Sequence, residues 1–116
     1  MSRKLKHYIT KMSIWAVCFG VLTFGVWLPW AQADPALVTK GEEVYAAKRC
    51  AVCHKINGKG GKIGKDLTNV GAERDAAWLS KFIKNPKSID SSFKMPAFRG
   101  SDDELEAVVA YVATLK

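Results

Sequence analysis

Two cysteines three positions apart, followed directly by a histidine, constrain this chain more than any other feature: Arg49-Cys50-Ala51-Val52-Cys53-His54. The C-x-x-C-H pattern is that of covalent haem attachment. Two thiols at this spacing can each bond one vinyl group of the same haem, which places His54 beneath the iron, where a neutral imidazole is a ligand. Three other uses of the cysteines compete. A thioredoxin-like dithiol would sit beside a βαβ pattern, whereas the surroundings read as helices and glycine-rich loop without strand runs. Zinc needs four ligands, and beyond the N-terminal segment the chain offers Cys50, Cys53 and His54. A Cys50–Cys53 disulfide would close a very small loop and gain little.

The N-terminal segment stands apart from the fold. Arg3, Lys4, Lys6 and Lys11 form a basic start, residues 13–28 are uncharged and largely apolar, and Ala31-Gln32-Ala33 is a small-x-small cleavage site before Asp34. Residues 1–33 are therefore expected to be a bacterial secretory signal peptide, with residues 34–116 as one mature domain in the periplasm. The alternative is an uncleaved anchor on the periplasmic face of the inner membrane, because residues 13–33 carry no charge and are long enough to span a bilayer. Cys18 falls inside the apolar run and is read as part of it.

Removal of the first 33 of 116 residues leaves 83, a length at which cores are thin and a disulfide, metal or cofactor usually serves as staple. A haem supplies a large apolar surface at roughly 25 cal/mol per Å² buried. It also occupies two cysteines that export would expose to oxidants.

The inventory of iron ligands is small. His7, Met1 and Met12 go with the leader, leaving His54 as the sole imidazole and Met95 as the sole thioether. If the iron has six ligands of the usual kinds, these two are its axial pair. Met95 lies in Lys94-Met95-Pro96-Ala97-Phe98, where Pro96 holds the preceding residue extended and stiffens the approach of the sulfur. The competing reading is that Met95 fills a gap in the core.

Helices joined by loops account for the rest. Asp34-Pro35 is an N-cap followed by a first helical position, after which Leu37, Gly41, Val44, Tyr45 and Lys48 share a face and lead into Cys50. Residues 57–64 are too rich in glycine for a helix. They fail as a phosphate loop, since Gly64-Lys65 is followed by Asp66 where Ser or Thr is needed and Lys59 replaces the first glycine; backbone passing close to a haem edge is the better use of such glycines. Asp75 is placed to cap a short helix with Trp78, Leu79, Phe82 and Ile83 on one face, ending at Asn85-Pro86. Ser101-Asp102-Asp103-Glu104 is a capping box, and Leu105, Val108, Val109, Val112 and Leu115 recur at helical spacing behind it. Between them, residues 87–100 form a long loop, a kind of segment that is usually functional in a small domain.

Gly41-x-x-x-Tyr45-x-x-x-x-Cys50-x-x-Cys53-His54, Gly64-Lys65-Asp66-Leu67, Met95-Pro96-x-Phe98 and a last amphipathic helix with Tyr111 follow one another over residues 34–116. In this order and spacing the chain resembles a class I c-type cytochrome. The resemblance implies an all-α fold of three to four helices around one haem c bound through Cys50 and Cys53. It also implies a close crossing of first and last helices, with Gly41 letting the backbones approach and Tyr45 and Tyr111 packed there. One position departs from the family, which commonly has proline where this chain has Lys65. The proline carbonyl accepts the hydrogen bond of the axial histidine, and lysine retains that carbonyl but not the rigidity of the ring.

A haem held by His54 and Met95 has no open coordination site, and a thioether favours the ferrous state. That suits a one-electron carrier, and no nucleophile, base and acid come together in the sequence to suggest an enzyme. Two alternatives stay open: a gas-binding sensor in which the Met95 bond is labile, and a membrane-anchored cytochrome subunit of a larger redox enzyme. Of 18 Lys and Arg, four are in the leader, so residues 34–116 carry 14 against 11 acids, formally +3. Lys55, Lys59, Lys62, Lys65, Lys84, Lys87 and Lys94 fall in segments expected near the haem, which points to redox partner proteins with acidic docking surfaces and to salt-sensitive association. An exported context gives no reason for nucleic-acid binding, and membrane contact follows only from an uncleaved N-terminal segment.

Overall fold

A computed structural model describes residues 33–116. The leader or anchor expected over residues 1–33 lies outside them except for Ala33. Asp34 and Pro35 start helix α1 (Pro35–Ala47) as expected: the Asp34 carboxylate accepts the Ala36 N–H at 3.0 Å, and Pro35, which has no N–H to satisfy, takes the first turn. The helix buries Gly41, Val44 and Tyr45. Arg49, left-handed at φ 60°, then swings the chain into a 3-10 turn at Cys50–Val52.

Two strands of two residues each, β1 (Lys55–Ile56) and β2 (Lys59–Gly60), follow as an antiparallel hairpin pairing Lys55 with Gly60 and Ile56 with Lys59. This corrects the expectation of unbroken loop. Asn57 and Gly58 have φ of 49° and 79°, and positive φ at both central residues makes the two-residue turn whose twist matches a hairpin. Helices α2 (Val70–Glu73), α3 (Ala76–Lys84) and α4 (Asp102–Ala113) complete the chain, with a 3-10 turn at Pro86–Ser88 inside the loop after α3. The all-α expectation of three to four helices holds, with the hairpin as a small addition.

The caps on α3 and α4 are those expected. Asp75 accepts the Trp78 N–H at 2.7 Å, while Ser101 accepts the Glu104 N–H at 3.2 Å and Glu104 accepts the Ser101 N–H at 3.0 Å. Glu104 also pairs with Lys48 at 3.0 Å and so joins the end of α1 to the start of α4. The last helix stops at Ala113, and Leu115, placed by its spacing on the helical stripe, instead offers its carbonyl to the Gly71 N–H at 2.8 Å.

The core lies where α1 crosses α4: Val44 and Tyr45 pack with Leu105, Val108, Val109 and Val112. A Cβ on Gly41 would stand 2.0 Å from the Ala107 carbonyl oxygen and 2.7 Å from Tyr111 Cβ, so at this contact only glycine fits. Ala107 has no exposed surface, and Tyr45 meets Tyr111 edge to face with ring centroids 5.6 Å apart, close to the preferred aromatic geometry. Because both sides of the clash are helix backbone, Gly41→Ala is expected to lower stability by about 3 kcal/mol, the upper end of overpacking costs. Equilibrium denaturation checks this, and an unchanged midpoint would mean that the crossing yields.

Candidate functional site

The 3-10 turn fixes the relation of the two cysteines. Cys50 opens it and Cys53 closes it, and the Cys53 and His54 N–H groups both donate to the Cys50 carbonyl, at 3.1 and 3.0 Å. Side chains at i and i+3 of a 3-10 helix eclipse one another, so the turn sends both thiols off the same side. Both are free and half-buried. Burial pushes the Cys50 thiol up, the reverse of the lowered thiol that dithiol catalysis requires.

His54 is held from the following segment. Its Nδ1–H donates to the Lys65 carbonyl at 2.8 Å, which assigns the proton to Nδ1 and leaves the Nε2 lone pair for a metal. The backbone of that segment lies along the cysteine turn: the Gly61 N–H donates to Ala51 at 2.8 Å, Gly64 to Cys53 at 2.7 Å and Leu67 to Lys55 at 2.8 Å. A Cβ on Gly61 would sit 1.9 Å from the Val52 carbonyl oxygen, and one on Gly64 would sit 2.6 Å from His54 Cε1. The glycines thus serve close approach to the Cys50–His54 segment itself, and Gly64 leaves room for the imidazole.

Met95 comes from a different part of the chain, in the segment between the Pro86–Ser88 turn and α4, where it is half-buried. Three residues on, the Phe98 N–H donates to the Ile83 carbonyl at 3.1 Å and ties this segment to the end of α3. Cys50, Cys53 and His54 share one turn; Met95 is supplied separately.

These residues fit a covalently bound haem. Cys50, Ile56, Leu67, Trp78, Ile83 and Phe98 pack against the core while remaining only half covered, which leaves apolar surface for a flat apolar group. The Tyr45 hydroxyl is buried without a hydrogen-bond partner. Its burial, with Cys50 as the next contributor, pushes Tyr45 up to about 12. The core beside Cys50 therefore holds an unsatisfied polar atom, a feature more often tolerated at functional sites than elsewhere.

Of the lysines expected around the haem, Lys55 pairs with Asp66 at 3.2 Å, Lys84 with Asp102 at 3.3 Å and Lys65 with Glu73. Glu73 was not singled out by the sequence, since it stands eight residues from its partner on a helix of one turn. Asp66 is held down to about 2, chiefly by the Thr68 hydroxyl, then by the Thr68 N–H and by Lys55. A carboxyl lowered on folding adds stability that is fully present above its ordinary value of 3.8 and is lost as pH falls through about 2. Thr68→Val is expected to raise the Asp66 titration toward 3.8 in a carboxyl-carbon NMR titration, moving this acid loss to higher pH. A midpoint still near 2 would assign the effect to the backbone N–H of residue 68 and to Lys55, both of which the substitution keeps.

Comparison with known proteins bears directly on this arrangement. The family model for cytochrome c matches residues 38–116. Cytochrome c-551 of Stutzerimonas stutzeri is 30% identical over 89 residues, covering 72% of this chain and 84% of that protein. Cytochrome c oxidase subunit 2 of Alkalihalophilus pseudofirmus is 30% identical over 94 residues; the match covers 73% of this chain but only 28% of the subunit. Among solved structures, the c-type cytochrome SorU from Sinorhizobium meliloti superposes with a TM-score of 0.57 at 26% identity, covering 71% of this chain and 93% of that one.

Proposed function

Because the chain belongs to the cytochrome c family, with haem c attached through Cys50 and Cys53, we propose that it is a one-electron carrier whose iron is held by His54 and Met95. The bound haem supplies reversible exchange of a single electron between ferric and ferrous iron. The observation that carries the reading is the hydrogen bond from His54 Nδ1–H to the Lys65 carbonyl, which leaves Nε2 as the free ligand atom. Met95 is the thioether of residues 34–116, on a segment stiffened by Pro96 and tied to α3 through Phe98. With His54 and Met95 both supplied by the protein to a bound iron, little of the chain would have to move when the oxidation state changes. A thioether also favours the ferrous form and raises the potential.

Residues 1–33 are proposed to direct export to the periplasm and to be removed before Asp34. Partners are proposed to be redox proteins with acidic surfaces. Lys59, Lys62, Lys87 and Lys94 are exposed in the segments flanking the cysteine turn and Met95, and steering by such charges weakens with salt. The match to an oxidase subunit favours a second reading, in which an uncleaved N-terminal segment keeps this domain on the membrane beside a larger redox enzyme. N-terminal sequencing of the native protein separates the two: a start at Asp34 supports the free carrier, and retention of residues 1–33 supports the anchored domain.

Met95→Ala is expected to lower the midpoint potential and to let carbon monoxide bind the reduced iron. A potential and carbon monoxide spectrum identical to those of the unaltered protein would remove Met95 from the ligand set. Carbon monoxide binding before any substitution would favour a gas sensor over a carrier.

A further inference from the structure

Lys65 acts through both its backbone and its side chain. Its carbonyl accepts the His54 Nδ1–H at 2.8 Å, and its ammonium pairs with Glu73. On either side the loop is fastened by backbone bonds, Gly64 to Cys53 at 2.7 Å and Leu67 to Lys55 at 2.8 Å. Lys65 and Asp66 lie between these anchors and are held by their side chains, Asp66 to Lys55 at 3.2 Å and Lys65 to Glu73. Glu73 ends a helix that is anchored through Gly71: the Gly71 N–H donates to the Leu115 carbonyl at 2.8 Å, and a Cβ on Gly71 would stand 2.2 Å from the Ala113 carbonyl oxygen, so α2 sits directly on the end of α4.

We propose that the Lys65–Glu73 ion pair is a positioning device for the axial histidine, holding the Lys65 carbonyl on His54 Nδ1–H and thereby setting the iron's reduction potential. The proposal rests on ligation of the haem iron by His54 through Nε2. An acceptor on Nδ1–H makes the imidazole a stronger donor, and a stronger donor favours ferric iron and lowers the potential. A proline at this position would restrain the carbonyl through its ring; here the restraint is electrostatic. With side chains 58% and 49% exposed, the pair is open to screening by salt, so the potential itself becomes sensitive to ionic strength.

The test uses the haem-loaded protein as expressed and reads two quantities: the midpoint potential at low and high salt, and the exchange rate of the His54 Nδ1 proton by NMR. Glu73→Gln is expected to raise the potential, to speed proton exchange by about two- to five-fold, the range of one exposed ion pair, and to flatten the salt response. Lys65→Pro is expected to keep the low potential without the salt response, and adding Glu73→Gln to it should change neither quantity. Lys65→Pro also subtracts the general effect of salt on a charged protein. If Glu73→Gln leaves the potential and exchange rate unchanged while the spectrum remains low-spin and six-coordinate, the positioning role is overturned and the carrier reading stands. An unaltered protein whose spectrum lacks histidine ligation overturns both. Should Glu73→Gln fail to take up haem, the salt responses of the unaltered and Lys65→Pro proteins decide, and equal responses overturn the proposal.

Discussion

Two thioether bonds from one tight turn to one flat apolar group are what the rest of this small domain depends on. The polypeptide's own core centres on the crossing of α1 and α4, made close by Gly41 against Ala107, with Val70 of α2 and Leu79 of α3 in the same small cluster. Around it stand apolar side chains that pack against it and remain half covered among the described residues, Ile56, Leu67, Trp78, Ile83 and Phe98. A chain of this length gains stability in proportion to apolar area removed from water, and haem is the group through which that area can be enlarged without more residues.

The same turn sets the chemistry. Left-handed Arg49 directs the chain into the 3-10 turn, the turn sends Cys50 and Cys53 off one side, and His54 follows at once. A glycine-rich return then lies along it closely enough for the Lys65 carbonyl to take the imidazole proton. From Lys65 the connection runs through Glu73 and α2 to the carboxyl end of α4, so the ligand's surroundings and the helix crossing belong to one structure.

Much of this was legible in the sequence because it rests on local rules. The caps at Asp34, Asp75 and Ser101 are short-range hydrogen bonds with recognisable residues, and they fall as expected. The resemblance to class I c-type cytochromes supplied the crossing of Gly41, Tyr45 and Tyr111, and it supplied the Lys65 carbonyl as acceptor; both agree with the structure. The hairpin was missed although Asn57-Gly58 is a strong turn signal, because strands of two residues leave no alternating pattern to read. Helix α2 was missed for a different reason: one turn without a side-chain cap has no local signature, and its place comes from contacts between Gly71 and residues 113 and 115. The Lys65–Glu73 pair depends on that helix and was hidden with it.

The most direct measurement of the central claim is the intact mass and visible spectrum of the purified protein before and after complete denaturation in acid. The account predicts one haem per chain that stays with the unfolded polypeptide, and no free thiol at Cys50 or Cys53. A haem that separates on unfolding, or a colourless polypeptide in which Cys50 and Cys53 remain reactive or are joined to each other, would contradict it.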